Sequence, residues 1–182
     1  FNLSTLYSCT PGGVLASGGA TTMVVAEGDR TLGTVVDDAT IKINISSNLL
    51  SSSTNLFVNV NTSVIEGRVL LTGIVDTQEI RIEAVRKVWE VDGVREVINE
   101  IEIGSKTTIK EYANDLWITT QVKGMAAKTI GLRALSYNFE TIKGKVYIAG
   151  ITSRPEQLDQ IIEVTKTIKG VKEIVNYVII KE

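Results

Sequence analysis

The sequence predicts an α+β fold made of two tandem copies of one small domain, and three observations carry that expectation. First, "IEGRVLLTGIV" at Ile65–Val75 returns as "IKGKVYIAGIT" at Ile142–Thr152, and "DGVREVINEIEI" at Asp92–Ile103 returns as "KGVKEIVNYVII" at Lys169–Ile180, both 77 residues later. The offset holds without a gap over 38–103 and 115–180, which chance resemblance between β-rich segments does not sustain. Second, each copy contains a stretch that alternates apolar and polar residues with period 2, the signature of a half-buried strand. Third, each copy carries a helix start followed by a glycine at a helix end.

The elements follow in order. Asp38 and Asp115 are candidate helix caps, with apolar residues following at i and i+4 spacing: Ile41 and Ile45, then Ile118 and Val122. Val58, Val60, Thr62 and Val64 alternate with Asn59, Asn61 and Ser63, as Leu135, Tyr137 and Phe139 do with Ser136, Asn138 and Glu140. Gly67 and Gly144 supply the turn of a hairpin whose second strand ends near Gly73 and Gly150. "DTQE" at Asp76–Glu79 and "SRPE" at Ser153–Glu156 read as capping boxes opening a second helix. Gly93 and Gly170 close that helix, and a last strand follows. The order is α-β-β-α-β, twice: a three-stranded sheet packed by two helices. Units this small bury too little alone, so the two are expected to pack together. Residues 10–37 are glycine-rich and aperiodic and read as a tether, and residues 104–114 as a linker.

Composition narrows the function. The chain has no histidine, one cysteine and a net charge of −2. The commonest general base and the commonest zinc ligand are therefore missing, and cysteine metal clusters, intrachain disulfides and histidine-based nucleophilic catalysis are excluded. No phosphate-binding glycine loop and no aromatic-and-basic platform for nucleic acid is present. No run approaches ~20 apolar residues. The expectation is a non-enzymatic module with no cofactor, no metal, no small-molecule substrate and no nucleic-acid partner. The Asp37–Asp38 pair is better read as helix capping than as acid–base chemistry.

The repeat distinguishes core from surface, because positions apolar in both copies are core candidates. Trp117 has Thr40 as its counterpart, so it needs another reason. At 100° per residue Trp117 lies off the Ile118–Val122 direction and shares a face with Thr120, Gln121, Gly124 and Lys128. Tryptophan among small polar residues suits a membrane interface; packing on the other domain or on the linker is the alternative. Charge points the same way. Copy one carries six basic and ten acidic residues and copy two nine basic and six acidic, so an anionic surface attracts the second copy and repels the first. In the second helix Ile82, Val85 and Trp89 form a stripe that copy two lacks, either an interdomain contact or a broader core.

The stretches "GTVVDDATIKI" (Gly33–Ile43), "GRVLLTG" (Gly67–Gly73), "VDGVREVINEI" (Val91–Ile101) and above all "NDLWITTQVK" (Asn114–Lys123) resemble the BON domain, in the tandem arrangement of bacterial envelope lipoproteins. The resemblance covers residue 33 to the end. "LYSC" at Leu6–Cys9 resembles the site at which such proteins are cleaved and lipidated, the alternative being an incidental cysteine in the leader. The implied organisation is a signal remnant and lipoprotein leader over 1–37, a first BON-like domain over 38–103, a linker over 104–114 and a second domain over 115–182. Thr10 rather than Asp follows Cys9, which in this family implies the periplasmic face of the outer membrane. The resemblance also implies that the first helix of the second domain meets anionic phospholipid. The candidate contact set is Trp117, Thr120, Gln121, Lys123, Gly124, Met125 and Lys128, with Gln121 where the family motif has Lys. A scaffold acting on outer-membrane assembly proteins, with Trp117 as a protein hot spot, is the competing reading.

Overall fold

The computed structural model describes residues 31–105 and 107–181. The leader containing Cys9 lies outside the described residues. Copy one contains α1 (Leu32–Ser52), a short α2 (Thr54–Asn59), β1 (Val60–Ile65), β2 (Arg68–Val75), α3 (Gln78–Trp89) and β3 (Glu96–Ile103). Copy two contains α4 (Ile109–Ile130), a 3-10 turn (Gly131–Ser136), β4 (Tyr137–Ile142), β5 (Lys145–Thr152), α5 (Pro155–Lys166) and β6 (Glu173–Ile180). The fold is α+β, with sheet orders β1-β2-β3 and β4-β5-β6. In each sheet the hairpin is antiparallel and the last strand, reached through the second helix, pairs in parallel with the central one.

Both first helices begin earlier than the sequence reading placed them. Thr31 caps α1, its Oγ1 accepting from the Thr34 amide at 3.2 Å, and Thr108 caps α4 in a reciprocal capping box with Glu111. The two caps are again 77 apart, so residues 32–37, read as leader, and 109–114, read as linker, are helical. The T-x-x-T and T-x-x-E spacings satisfy the orphan amides of a first turn. Asp38 and Asp115 are consequently not caps. Each lies inside its helix, buried, and reaches across to the hairpin turn. Asp38 accepts from the amides of Glu66 and Gly67 at 2.8 and 2.9 Å; Asp115 accepts from Lys143 and Gly144 at 2.7 and 2.8 Å. These turn residues all have positive φ, as a two-residue hairpin loop of matching twist requires.

Two smaller corrections have local causes. Thr77, not Asp76, caps α3, and α5 opens on Pro155 with Arg154 at its N-cap position, where the arginine side chain makes no capping bond. The second strands do not end at the glycines. Gly73 and Gly150 sit inside β2 and β5 opposite Val60 and Tyr137, where the partner strand comes close. A Cβ on Gly73 would lie 2.0 Å from the Asn59 carbonyl oxygen.

The central strands explain the packing. β2 and β5 are buried almost throughout, because the two faces of each meet different partners. Val69, Leu71 and Val75 join Ile41, Ile45 and Leu49 of α1 and Ala84 and Val88 of α3 in one core. Val146 and Ile148 join Ile118, Val122, Leu158 and Ile161 in the second. The opposite faces meet one another: Ile65, Leu70, Tyr147, Ala149 and Ile151 form a third core with Ile98, Ile142, Val175, Tyr177 and Ile179 around it. The layers are helix, sheet, sheet, helix, and this shared sheet-to-sheet core is how two small units bury enough surface. β1 touches β5 while β2 touches β4, the exchange expected of a pseudo-two-fold axis. The Ile82–Val85–Trp89 stripe is neither of the things expected of it as a whole. Val85 packs on the first core, whereas Ile82 and Trp89 are exposed, because the sheets rather than α3 make the interdomain contact.

Candidate functional site

Helix α4 is placed by its buried side. Asp115, Ile118, Thr119, Val122, Ala126 and Ile130 face inward, with Ile118 and Val122 fully buried. Two polar ties set its position on the sheet: Asp115 holds the hairpin turn, and the buried Thr119 and Thr141 hydroxyls meet at 2.8 Å. Gly131, with φ of 65°, closes the helix. The helix is therefore held against β4, and its outer side is presented as a fixed surface.

The residues singled out from the sequence fall into three groups on this helix. Trp117, 47% exposed, stands on the side away from the core with Thr120, Gln121, Gly124 and Lys128, all exposed. Lys123 is exposed too but turns toward the groove between the domains. Met125 is half-buried and packs on the second core, which separates it from the outer face. Lys110, one heptad before Trp117, shares the outer face. It was missed because residues 104–114 read as linker; the T-x-x-E cap was the available signal.

Sequence reasoning also missed an apolar flank. Ile109, Tyr112 and Leu116 recur at i, i+3 and i+7 and are exposed along one wall of a groove of about 450 Å³. Val58, Asn61 and Ile74 of copy one form the other wall, and Lys123 and Glu140 line it as well. Burial pushes the Glu140 carboxyl above the ordinary carboxylate range, against the opposing pull of Lys123 and Lys42. The outer surface of α4 thus offers an aromatic ring, small polar residues, lysines and an aliphatic shelf. Among the described residues no group of His, Cys, Asp or Glu is arranged to hold a metal, and no helix is long and apolar enough to cross a membrane.

A duplicated α-β-β-α-β unit with hairpin turns anchored by a helix aspartate defines a small α+β domain used in tandem. The BON-domain model matches residues 37–105 and 114–182, and the chain belongs to the BON-domain family. It is 37% identical over 80% of its length to an uncharacterized protein in the gshII 5' region of Anaplasma centrale, covering 96% of that protein. It is 29% identical to the outer membrane lipoprotein DolP of Haemophilus influenzae over 87% of this chain and 82% of that one. It is 31% identical to a 21 kDa hemolysin of Actinobacillus pleuropneumoniae over 82% of this chain and 78% of that one.

Proposed function

We propose that the chain is a non-enzymatic lipoprotein of the bacterial envelope that binds anionic phospholipid through the outer face of α4. It would be anchored by acylated Cys9 on the periplasmic face of the outer membrane, where it would support membrane integrity. One observation carries the reading: Trp117 is half-exposed on the side of α4 away from the core, in line with Lys110 and Lys128. An indole at that position inserts at the headgroup level, while the lysines steer the approach at about 1 kcal/mol each. The basic balance of copy two supports this, as does similarity to a protein named as an outer membrane lipoprotein.

Flotation of the chain with vesicles of phosphatidylglycerol or phosphatidylcholine tests the reading. Binding is expected to the anionic vesicles, to fall severalfold in Trp117→Ala, and to weaken with salt while keeping a Trp117-dependent remainder. A folded Trp117→Ala protein that floats as well as the wild type overturns it and favours a protein partner on this face, such as outer-membrane assembly machinery. Cys9 is tested separately. Behind a complete signal peptide, the wild type is expected in the outer-membrane fraction with an acyl mass, and Cys9→Ala in the soluble periplasm. Unchanged fractionation without acyl mass refutes the anchor.

A further inference from the structure

Glu140 is an acid that the fold half-buries without a close partner. Phe139 and Thr141 point to the α4 side of β4, so Glu140 between them turns to the opposite face, toward copy one. Among the described residues no hydrogen bond and no close ion pair reaches its carboxylate. It stands where two grooves meet. Lys123 of α4 lines the larger with it, and Lys42 of α1 lines the smaller, of about 210 Å³. The other titratable groups nearby are engaged or neutral. Asp115 is bound to the hairpin turn, and Lys145 is paired with Glu100 and Glu173. Tyr112 of α4 and Tyr147, opposite Glu140 on β5, contribute phenols, which are neutral in the carboxylate range. The walls formed by α2, β1 and β2 bring no charge. Two lysines therefore act on Glu140 through space, Lys123 the more strongly. The fold does not require this trio: the counterparts of Lys42, Lys123 and Glu140, 77 residues away, are Thr119, Ser46 and Ser63.

We propose that Glu140 regulates the α4 surface by competing for Lys123, so that mild acid, by protonating Glu140, releases that lysine to anionic headgroups. This rests on the phospholipid reading given above. Ile109, Leu116 and Lys123 are spaced by seven, so Lys123 continues the exposed shelf that borders Trp117. Its four-carbon stem lets the ammonium reach either inward to the groove or outward to the surface. While Glu140 is ionised, the inward position has a counter-charge and the region around α4 carries one positive charge fewer. Once Glu140 is protonated, both lysines are left uncompensated. Burial pushes the Glu140 carboxyl above the ordinary range, with Lys123 and Lys42 opposing, so it takes up its proton at a pH at which ordinary carboxylates are still charged. Affinity for an anionic surface accordingly rises as pH falls, and the rise begins above the range in which ordinary carboxylates titrate.

The full chain is floated with phosphatidylglycerol vesicles at low salt, from about pH 8 to about pH 5. The wild type is expected to bind about fivefold more tightly at the acid end, the effect of one unit charge near such a surface. Glu140→Gln is expected to bind that tightly throughout and to lose the pH dependence. Asp159→Asn removes an exposed charge on α5 and is expected to keep the acid gain. Urea denaturation supplies a readout without vesicles. A carboxyl whose proton is held more tightly in the folded state destabilises the fold once ionised, so the wild type is expected to lose stability relative to Glu140→Gln as pH rises past the ordinary carboxylate range. Equal flotation profiles for the wild type and Glu140→Gln, with binding still dependent on Trp117, overturn this proposal and leave the phospholipid reading standing. An acid gain of equal size on phosphatidylcholine vesicles overturns it too, as do parallel denaturation profiles, since Glu140 would then not be the titrating group. Absence of flotation by the wild type at every pH overturns both.

Discussion

Tyr177 donates its phenolic hydrogen to the Glu100 carboxylate at 2.5 Å, and these two residues occupy the same position in the two copies, 77 apart. Equivalent positions meet only beside the axis that relates the copies, so this bond marks where the two sheets face each other. Lys145, 3.6 Å from Glu100, and Lys181, 2.6 Å from Glu66, add cross-domain charge pairs around it.

The bond makes stability pH-dependent in a defined window. Burial first, then the hydrogen bond to Glu100 and its charge, push the Tyr177 hydroxyl up from 10 to about 12. The folded state therefore favours the protonated phenol. Its contribution is complete below pH 10 and is lost as pH rises from 10 to about 12. Urea denaturation midpoints should fall across that interval in the wild type and fall less in Tyr177→Phe. The absorbance difference between the two proteins at high pH should report a tyrosine ionising near 12. Equal pH slopes would remove Tyr177 from this role.

Asp38 and Asp115 tie a helix to a hairpin turn in each copy, and their loss should be costly. Asp115→Ala leaves the buried Gly144 amide and the half-buried Lys143 amide without their charged acceptor, a loss on the order of 3 kcal/mol. Asp115→Asn keeps one carbonyl acceptor and should lose less. Asp38→Ala should behave as Asp115→Ala does, because the geometry is the same. Chemical denaturation curves measure all three.

Neighbouring residues on α4 should respond in opposite ways. Ile118→Ala empties a fully buried site and should destabilise the fold by ~2–5 kcal/mol. Trp117→Ala leaves no internal cavity, and its effect on stability should stay small, within ~0.5 kcal/mol as for ordinary surface changes. Unfolding of Trp117→Ala would make the ring structural.

Glycines separate in the same manner. Gly124 lies mid-helix, and a Cβ there meets nothing within 4 Å, so Gly124→Ala should stabilise α4 by ~1 kcal/mol. Gly73 has φ of 133° and the Asn59 carbonyl against it, so Gly73→Ala should destabilise by more than that gain. Thermal unfolding of both variants would show midpoints displaced in opposite directions.

The repeat, the order of the main elements, the α+β class and the buried Ile41–Ile45 and Ile118–Val122 pairs were legible in the sequence, because they rest on periodicity and on glycine positions; the short α2 and the 3-10 turn were not, and Val58 and Leu135, assigned by alternation to the strands, lie in them. The outward placement of Trp117 was legible for the same reason: helical spacing alone sets which side a residue occupies. Other features depended on what lies across space. Asp38 and Asp115 look like caps when only the next few residues are considered; their partners are turn amides 28 and 29 residues away. Met125 and Lys123 sit near Trp117 in sequence, yet one packs on the core and the other borders the groove. The Ile82–Trp89 stripe, apolar in one copy only, looked like either an interdomain contact or a broader core. The seam is instead made by Leu70, Tyr147 and Ile151, whose strands are apolar on both faces in a way that periodicity cannot apportion between two partners. Local pattern in the chain sets the two units and the arrangement within each. Which faces meet is settled in three dimensions, because burial depends on the surface that another element brings, and no local pattern encodes that surface.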